Sequence, residues 1–88
     1  MAKKLVWEIT TEEAAHNVSL VYSMFMGKAI ITIDGDEFDI STGIGKLRGT
    51  SQVFKLGESS AIIDFPKSGV PEVYVEGVGV HSGKRYGE

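Results

Sequence analysis

Alternation of apolar and polar side chains runs through most of the chain. Between residues 17 and 26, the apolar side chains Val18, Leu20 and Tyr22 recur at every second position, which is the period of a β-strand. The segment Lys28–Ile33 is short and rich in β-branched residues, which also favours a strand. The same reasoning predicts five further strands, at residues 3–10, 37–40, 51–56, 60–65 and 72–80.

Turn-forming residues separate these segments at intervals of about 8–12 residues, which is typical of an all-β sandwich or barrel. Residues 11–15 are expected to form one helical turn capped by Thr11, and residues 42–51 a glycine-punctuated strand followed by a turn. We therefore predict one domain, residues 1–88, with an all-β fold. Its architecture is expected to be an antiparallel β-sandwich of seven or eight short strands.

One turn carries an unusual concentration of acid. Asp34 and Gly35 stand between two apolar runs, and this pair is typical of a type I′ hairpin turn, because both residues tolerate positive φ. A loop formed by Asp34 and Gly35 pairs Ile33 with Asp36, whereas a loop shifted by one residue pairs Ile33 with Phe38. Both registers place the same four apolar residues on one face of the hairpin, namely Ile31, Ile33, Phe38 and Ile40.

The four carboxylates of this hairpin, Asp34, Asp36, Glu37 and Asp39, raise the question of a cation site. Calcium takes six to eight oxygen ligands from a loop that wraps around the ion, whereas a hairpin points its side chains in different directions. Glu37 and Asp39 are expected on the face opposite to Phe38. The pattern favours a solvated turn with an acidic outer face, and a weak divalent-cation site at residues 34–39 is the alternative.

Candidate catalytic groups are few. His16 and His81 are the only histidines, there is no cysteine, and no G-x-S-x-G or H-x-x-x-H spacing accompanies them. Residues 42–51 resemble a phosphate loop in glycine and lysine content but lack its hydroxyl residue and its helix. Trp7 is expected to anchor the core. We predict no catalytic residue, cofactor or metal; the alternative is a small ligand-binding protein, or an enzyme, that uses His16 or His81 with a nearby carboxylate.

Charge and composition limit the classes of partner that the protein is expected to bind. The nine Lys and Arg residues are dispersed and the net charge is −3, which argues against nucleic-acid binding, since that requires clustered basic residues. The apolar run near the N-terminus stops at Trp7, which is too short for a secretory signal, and no stretch is long enough for a membrane helix. A cytoplasmic protein that binds neither nucleic acid nor membrane is expected.

Some predicted strands carry apolar residues on both faces. Val21, Phe25 and Ile30 lie on the parity opposite to the expected core residues, where an antiparallel strand normally shows polar groups to water. Such residues are either covered by a second layer or exposed as a contact surface. We predict that Val21, Phe25 and Ile30 form a contact surface, either for a protein partner or for self-association as a homodimer.

The order of short motifs resembles the Fas apoptotic inhibitory molecule family. The motifs are VWE, HNVSL, GKAIITIDG, VFKLG, AIIDF, EVYVEG and SGKRY, spread from Val6 to Tyr86. The resemblance implies one β-sandwich repeat, where family members usually carry two, and a glycine-rich segment replaces the family's aromatic middle strand. It further implies a non-enzymatic protein that acts through protein–protein contacts, as the family does in cell-survival signalling and in protection against aggregation.

Overall fold

Two antiparallel sheets of four strands each make up the fold in a computed structural model, which describes residues 2–87. Sheet 1 contains β1 (Lys3–Thr10), β2 (Ala15–Ser23), β3 (Lys28–Ile33) and β4 (Asp36–Asp39). Sheet 2 contains β5 (Thr50–Leu56), β6 (Ser59–Phe65), β7 (Glu72–Val75) and β8 (Val78–Gly79). In each sheet the strands lie side by side in chain order. The predicted all-β sandwich is confirmed, with eight strands, and residues 2–87 contain no helix that could span a membrane.

The hairpin between β3 and β4 adopts the first of the two possible registers. Ile33 pairs with Asp36, and Ile31 pairs with Phe38. Asp34 and Gly35 form the turn with φ angles of 50° and 91°, as a type I′ turn requires. Of the two registers that the sequence allows, the structure therefore adopts the one with Asp34 and Gly35 as the loop.

Three sequence predictions need correction. The predicted strand at residues 72–80 is two strands, because a turn at Glu76 and Gly77, both with positive φ, folds β8 back onto β7. The predicted helical turn at residues 11–15 is wrong. The Thr11 hydroxyl oxygen instead accepts hydrogen bonds from the backbone N–H groups of Glu13 and Ala14, and this short turn leads directly into β2.

The predicted strand at residues 42–51 is also wrong over most of its length, since β5 begins only at Thr50. The preceding residues form an irregular connection between the two sheets. Gly27, with φ of 70°, lies so close to this connection that a Cβ atom built on it would be 1.9 Å from the carbonyl oxygen of Gly43. The connection also buries Leu47 completely. Close backbone contact and one buried leucine therefore take the place of strand pairing here.

Apolar residues from the facing sides of both sheets, together with Leu47 of the connection, form the core. Its members are Trp7, Ile9, Val18, Leu20, Tyr22, Ala29, Ile31, Leu47, Leu56, Ala61, Ile63, Phe65 and Val73. Trp7 is fully buried, so the prediction that it anchors the core is confirmed. Large aromatic side chains of this kind contribute a major share of core stability.

Glu72 links the two sheets through its buried carboxylate. The Trp7 indole Nε1–H of β1 donates to Glu72 Oε1 at 3.0 Å, and the backbone N–H of Val73 donates to the same oxygen at 2.9 Å. The backbone N–H groups of His81 and Ser82 donate to Oε2 at 3.1 and 2.9 Å. All four donors are N–H groups, and Glu72 is only 9% exposed, so both oxygens must act as acceptors.

Replacing Glu72 by glutamine tests this link. Glu72→Gln turns one acceptor oxygen into an NH₂ donor, so two N–H groups lose their acceptor whichever way the amide is oriented. We expect a loss of about 1–3 kcal/mol in the free energy of unfolding, measured by urea unfolding followed by Trp7 fluorescence. Glu8→Gln, at an exposed site on β1, is the matched control and should change stability by less than about 0.5 kcal/mol. Equal effects of the two substitutions would contradict the role assigned to Glu72.

Candidate functional site

A groove opens between β4 of sheet 1 and β5 of sheet 2. Trp7 and Glu72 close the sandwich on the side of β1 and β7, whereas β4 and β5 belong to different sheets and do not pair with each other. The space between these two strands has a volume of about 750 Å³. We call it the β4–β5 groove, and it exposes part of the inner surface of both sheets.

Apolar side chains form the floor and walls of the groove. Its lining includes the buried Ile31 and Ile63, with Phe54 of β5 beside them. Phe38 shares the inner face of the hairpin with Ile31, as both possible registers predict, but it is 52% exposed and lies outside the buried core. Phe38 stays accessible because β4 is the edge strand of its sheet. The groove is therefore a gap in the core rather than a polar cleft.

Acidic residues lie along the β4 side of the groove. Asp34, Asp36 and Asp39 contribute to its lining. Among residues 2–87, Lys55 is the one basic residue in that lining. Hydrogen bonding by the Ser41 side chain, followed by that of the Ser41 backbone N–H, lowers the pKa of Asp39. This N–H lies 2.9 Å from Asp39 Oδ1. The groove thus combines an apolar interior with a mainly anionic rim.

The Asp34 carboxylate is hydrogen-bonded to the His16 ring. His16 Nδ1 lies 2.6 Å from Asp34 Oδ2, and the backbone N–H of Asn17 donates to Asp34 Oδ1 at 2.8 Å. The hydrogen bond with His16, followed by that from Asn17, lowers the pKa of Asp34 below its ordinary value of 3.8. The pair connects the first residues of β2 to the β3–β4 turn, and this accounts for the position of one acid in the cluster.

The remaining acids of the hairpin do not converge on a common point. Within residues 2–87, no group of three or more histidine, aspartate or glutamate side chains is arranged to hold a metal ion. Asp36 shares the inner parity with Phe38, whereas Glu37 and Asp39 lie on the outer parity. The hairpin therefore presents its carboxylates in different directions, as the sequence pattern indicates.

The two histidines occupy separate environments. His16 meets a carboxylate, as the alternative hypothesis of a ligand-binding protein or an enzyme requires, and its side chain is only 12% exposed. Gly57 of the β5–β6 turn lies next to the His16 ring. A Cβ atom built on Gly57 would be 4.0 Å from His16 Nε2. His81 instead stacks on Trp7, with ring centroids 5.5 Å apart. These contacts explain both rings as packing and linking groups.

Two of the three predicted contact residues lie next to each other. Val21 of β2 and Ile30 of β3 are direct cross-strand partners on the outer face of sheet 1, and they are 43% and 39% exposed. Val6 of β1 lies on the same face and is 50% exposed. We call Val6, Val21 and Ile30 the outer patch. Phe25 is 77% exposed but lies beyond the strands, in the β2–β3 turn.

Sequence reasoning missed Val6 and the groove for different reasons. Val6 alternates with Lys4 and Glu8 along β1, so the parity of the strand could have placed it on the outer face. The groove depends on which edge strands of the two sheets come together. The period of the side chains fixes the faces of each strand but carries no information on this stacking.

Searches with the sequence and the structure return no match among protein-family models, curated proteins or solved structures. The resemblance to the Fas apoptotic inhibitory molecule family stays a prediction.

The His16–Asp34 pair predicts a specific dependence of stability on pH. Because folding lowers the pKa of Asp34, the pair stabilises the fold above the ordinary aspartate pKa, and this contribution is lost as pH falls through the lowered value. A double-mutant cycle with His16→Gln and Asp34→Asn should give a favourable coupling free energy at about pH 5 that declines below about pH 4. The free energies come from urea unfolding at each pH. A coupling that does not change over this range would contradict the assignment.

Proposed function

We propose that the protein is a non-enzymatic protein-interaction module that associates with a second copy of itself through the outer patch. The observation that supports this most strongly is the exposure of Val6, Val21 and Ile30, by 50%, 43% and 39%, on three neighbouring strands. The outer face of an antiparallel sheet is normally polar. A cluster of aliphatic side chains at its centre is therefore a feature of contact surfaces.

The charges at the two ends of one row of residues make that row self-complementary. Lys4, Val21, Ile30 and Asp39 form one row across the four strands of sheet 1, because each is the register partner of the next. Two copies stacked face to face about a two-fold axis parallel to the strands bring Val21 against Ile30 of the other copy. The same operation brings Lys4 against Asp39, so opposite charges meet at both ends of the row. This geometry favours a homodimer.

Two further features agree with the proposal. The resemblance to the Fas apoptotic inhibitory molecule family implies action through protein–protein contacts. Phe25 extends the exposed apolar surface beyond the outer patch at the β2–β3 turn. A cytoplasmic location is part of the proposal, since the absence of cysteine suits a reducing compartment.

Sedimentation equilibrium tests the association directly. The wild type should show a monomer–dimer equilibrium, and the double variant Val21→Thr/Ile30→Thr should weaken dimerisation at least about tenfold, since it removes the paired apolar side chains while keeping β-branched residues. Val53→Thr is the matched control, because Val53 is a 65% exposed valine of sheet 2, and it should leave the dimerisation constant unchanged.

The charge pair gives a second arm of the same experiment. Lys4→Asp should weaken dimerisation, and Lys4→Asp combined with Asp39→Lys should restore it, because the two ends of the row exchange their charges. A wild type that stays monomeric at about 1 mM, which limits any dimerisation to weaker than about −4 kcal/mol, would contradict the proposal.

A further inference from the structure

We propose that the β4–β5 groove binds an extended peptide segment of another protein, with alternating apolar and basic side chains, which adds as a further strand to the edge of β4. The groove contains none of the three residues of the outer patch, although Asp39 borders both surfaces, and its occupant is a different kind of partner. The inference therefore does not depend on self-association. It follows from the backbone, the apolar interior and the charges of the groove.

The backbone of β4 has unpaired groups along its outer edge. Ile33 and Asp36 close the two-residue turn, and the backbone N–H of Ile40 donates to the carbonyl of Ala29 at 2.9 Å. Antiparallel pairing alternates, so Asp36, Phe38 and Ile40 direct their backbone groups toward β3. The backbone N–H and C=O groups of the two intervening residues, Glu37 and Asp39, consequently point away from β3, where within residues 2–87 no strand pairs with them.

Few of the usual devices protect this edge. Natural sheets cover an edge strand with a loop or helix, or interrupt it with proline or a bulge. All four residues of β4 are exposed and none is a proline. Charged side chains are the device that β4 does carry, and these charges select among possible partners rather than blocking all of them.

Side-chain pockets accompany the free edge. A strand added to β4 places every second side chain on the inner face, beside Phe38 and Ile40 and above the buried Ile31 and Ile63. Apolar side chains at these positions would cover Phe38, which is 52% exposed. The groove volume of about 750 Å³ accommodates several such side chains. Strand addition of this kind takes affinity from the backbone and specificity from alternate side chains.

The carboxylates on the outer face of β4 indicate which side chains the added strand carries at its other positions. Side chains on the outer parity of the added strand lie opposite Glu37 and Asp39, and opposite charges stabilise such cross-strand pairs. Pairing of β4 with β4 of a second copy would instead bring like carboxylates together. The groove therefore fits a basic strand from another protein better than it fits a copy of itself.

The test uses a blocked peptide of about seven residues that alternates lysine and valine, long enough to span β4. A glutamate–valine peptide of equal length is the comparison. Both are titrated by calorimetry and by amide chemical shifts into the Val21→Thr/Ile30→Thr variant, so that association through the outer patch does not contribute. The lysine–valine peptide should bind and shift the amide signals of Glu37 and Asp39, and the glutamate–valine peptide should bind at least about tenfold more weakly.

Charge reversal on β4 should reverse this preference. Glu37→Lys should weaken the lysine–valine peptide about tenfold and strengthen the glutamate–valine peptide. Glu8→Lys makes the same change of charge at an exposed position of β1, away from the groove, and should leave both affinities unchanged. Equal responses to the two substitutions would overturn the charge-based part of the proposal, because general attraction to an acidic protein would then explain binding.

N-methylation of the peptide backbone separates strand addition from other modes of binding. Two versions of the lysine–valine peptide carry methyl groups on alternate sets of amides. The version methylated on the amides that face β4 should not bind, and the version methylated on the other amides should bind as before. If both methylated peptides still bind, strand addition is overturned. Binding of a medium-chain fatty acid in the groove, without binding of the lysine–valine peptide, would also overturn the proposal and identify the groove as a site for apolar small molecules.

Discussion

The hydrogen bond between the Trp7 indole and the Glu72 carboxylate determines how the two sheets meet. It joins the first strand of the fold to the seventh, at 3.0 Å and across 65 residues of sequence. The same carboxylate accepts the backbone N–H groups of His81 and Ser82, and His81 in turn covers Trp7. A buried acceptor with four N–H donors tolerates few alternative arrangements, because each lost bond leaves a buried polar group unsatisfied.

Closure on the Trp7 side contrasts with the open edge at β4 and β5. Each sheet pairs its strands in chain order, so the fourth and fifth strands are neighbours in sequence but edges of different sheets. The irregular connection between them turns back over Gly27 and buries Leu47, and it leaves Phe38 uncovered. The outer patch and the groove are therefore two consequences of one architecture: a sheet surface with aliphatic residues at its centre, and a gap where a further strand fits.

The sequence predicted the features that depend on local chemistry. Period-two alternation gave the bounds of β1, and β-branched composition those of β3, as observed. The Asp34–Gly35 pair indicated the hairpin, although its register needed the structure. Features that depend on distant contacts could not be predicted. Glu72 lies on the parity opposite to the core residue Val73 and would be expected in solvent, but the chain near His81 folds over it. The groove likewise follows from the stacking of the sheets, which alternation does not encode.

Amide hydrogen exchange of the monomeric protein tests the central claim most directly, namely that the sandwich is closed at Trp7 and open at β4. The account predicts that the Trp7 indole N–H and the backbone N–H of Ser82 exchange only as fast as global unfolding permits. It predicts that the backbone N–H groups of Glu37 and Asp39 exchange at nearly the rate of an unfolded chain. Strong protection of Glu37 and Asp39, or rapid exchange of the Trp7 indole, would contradict it.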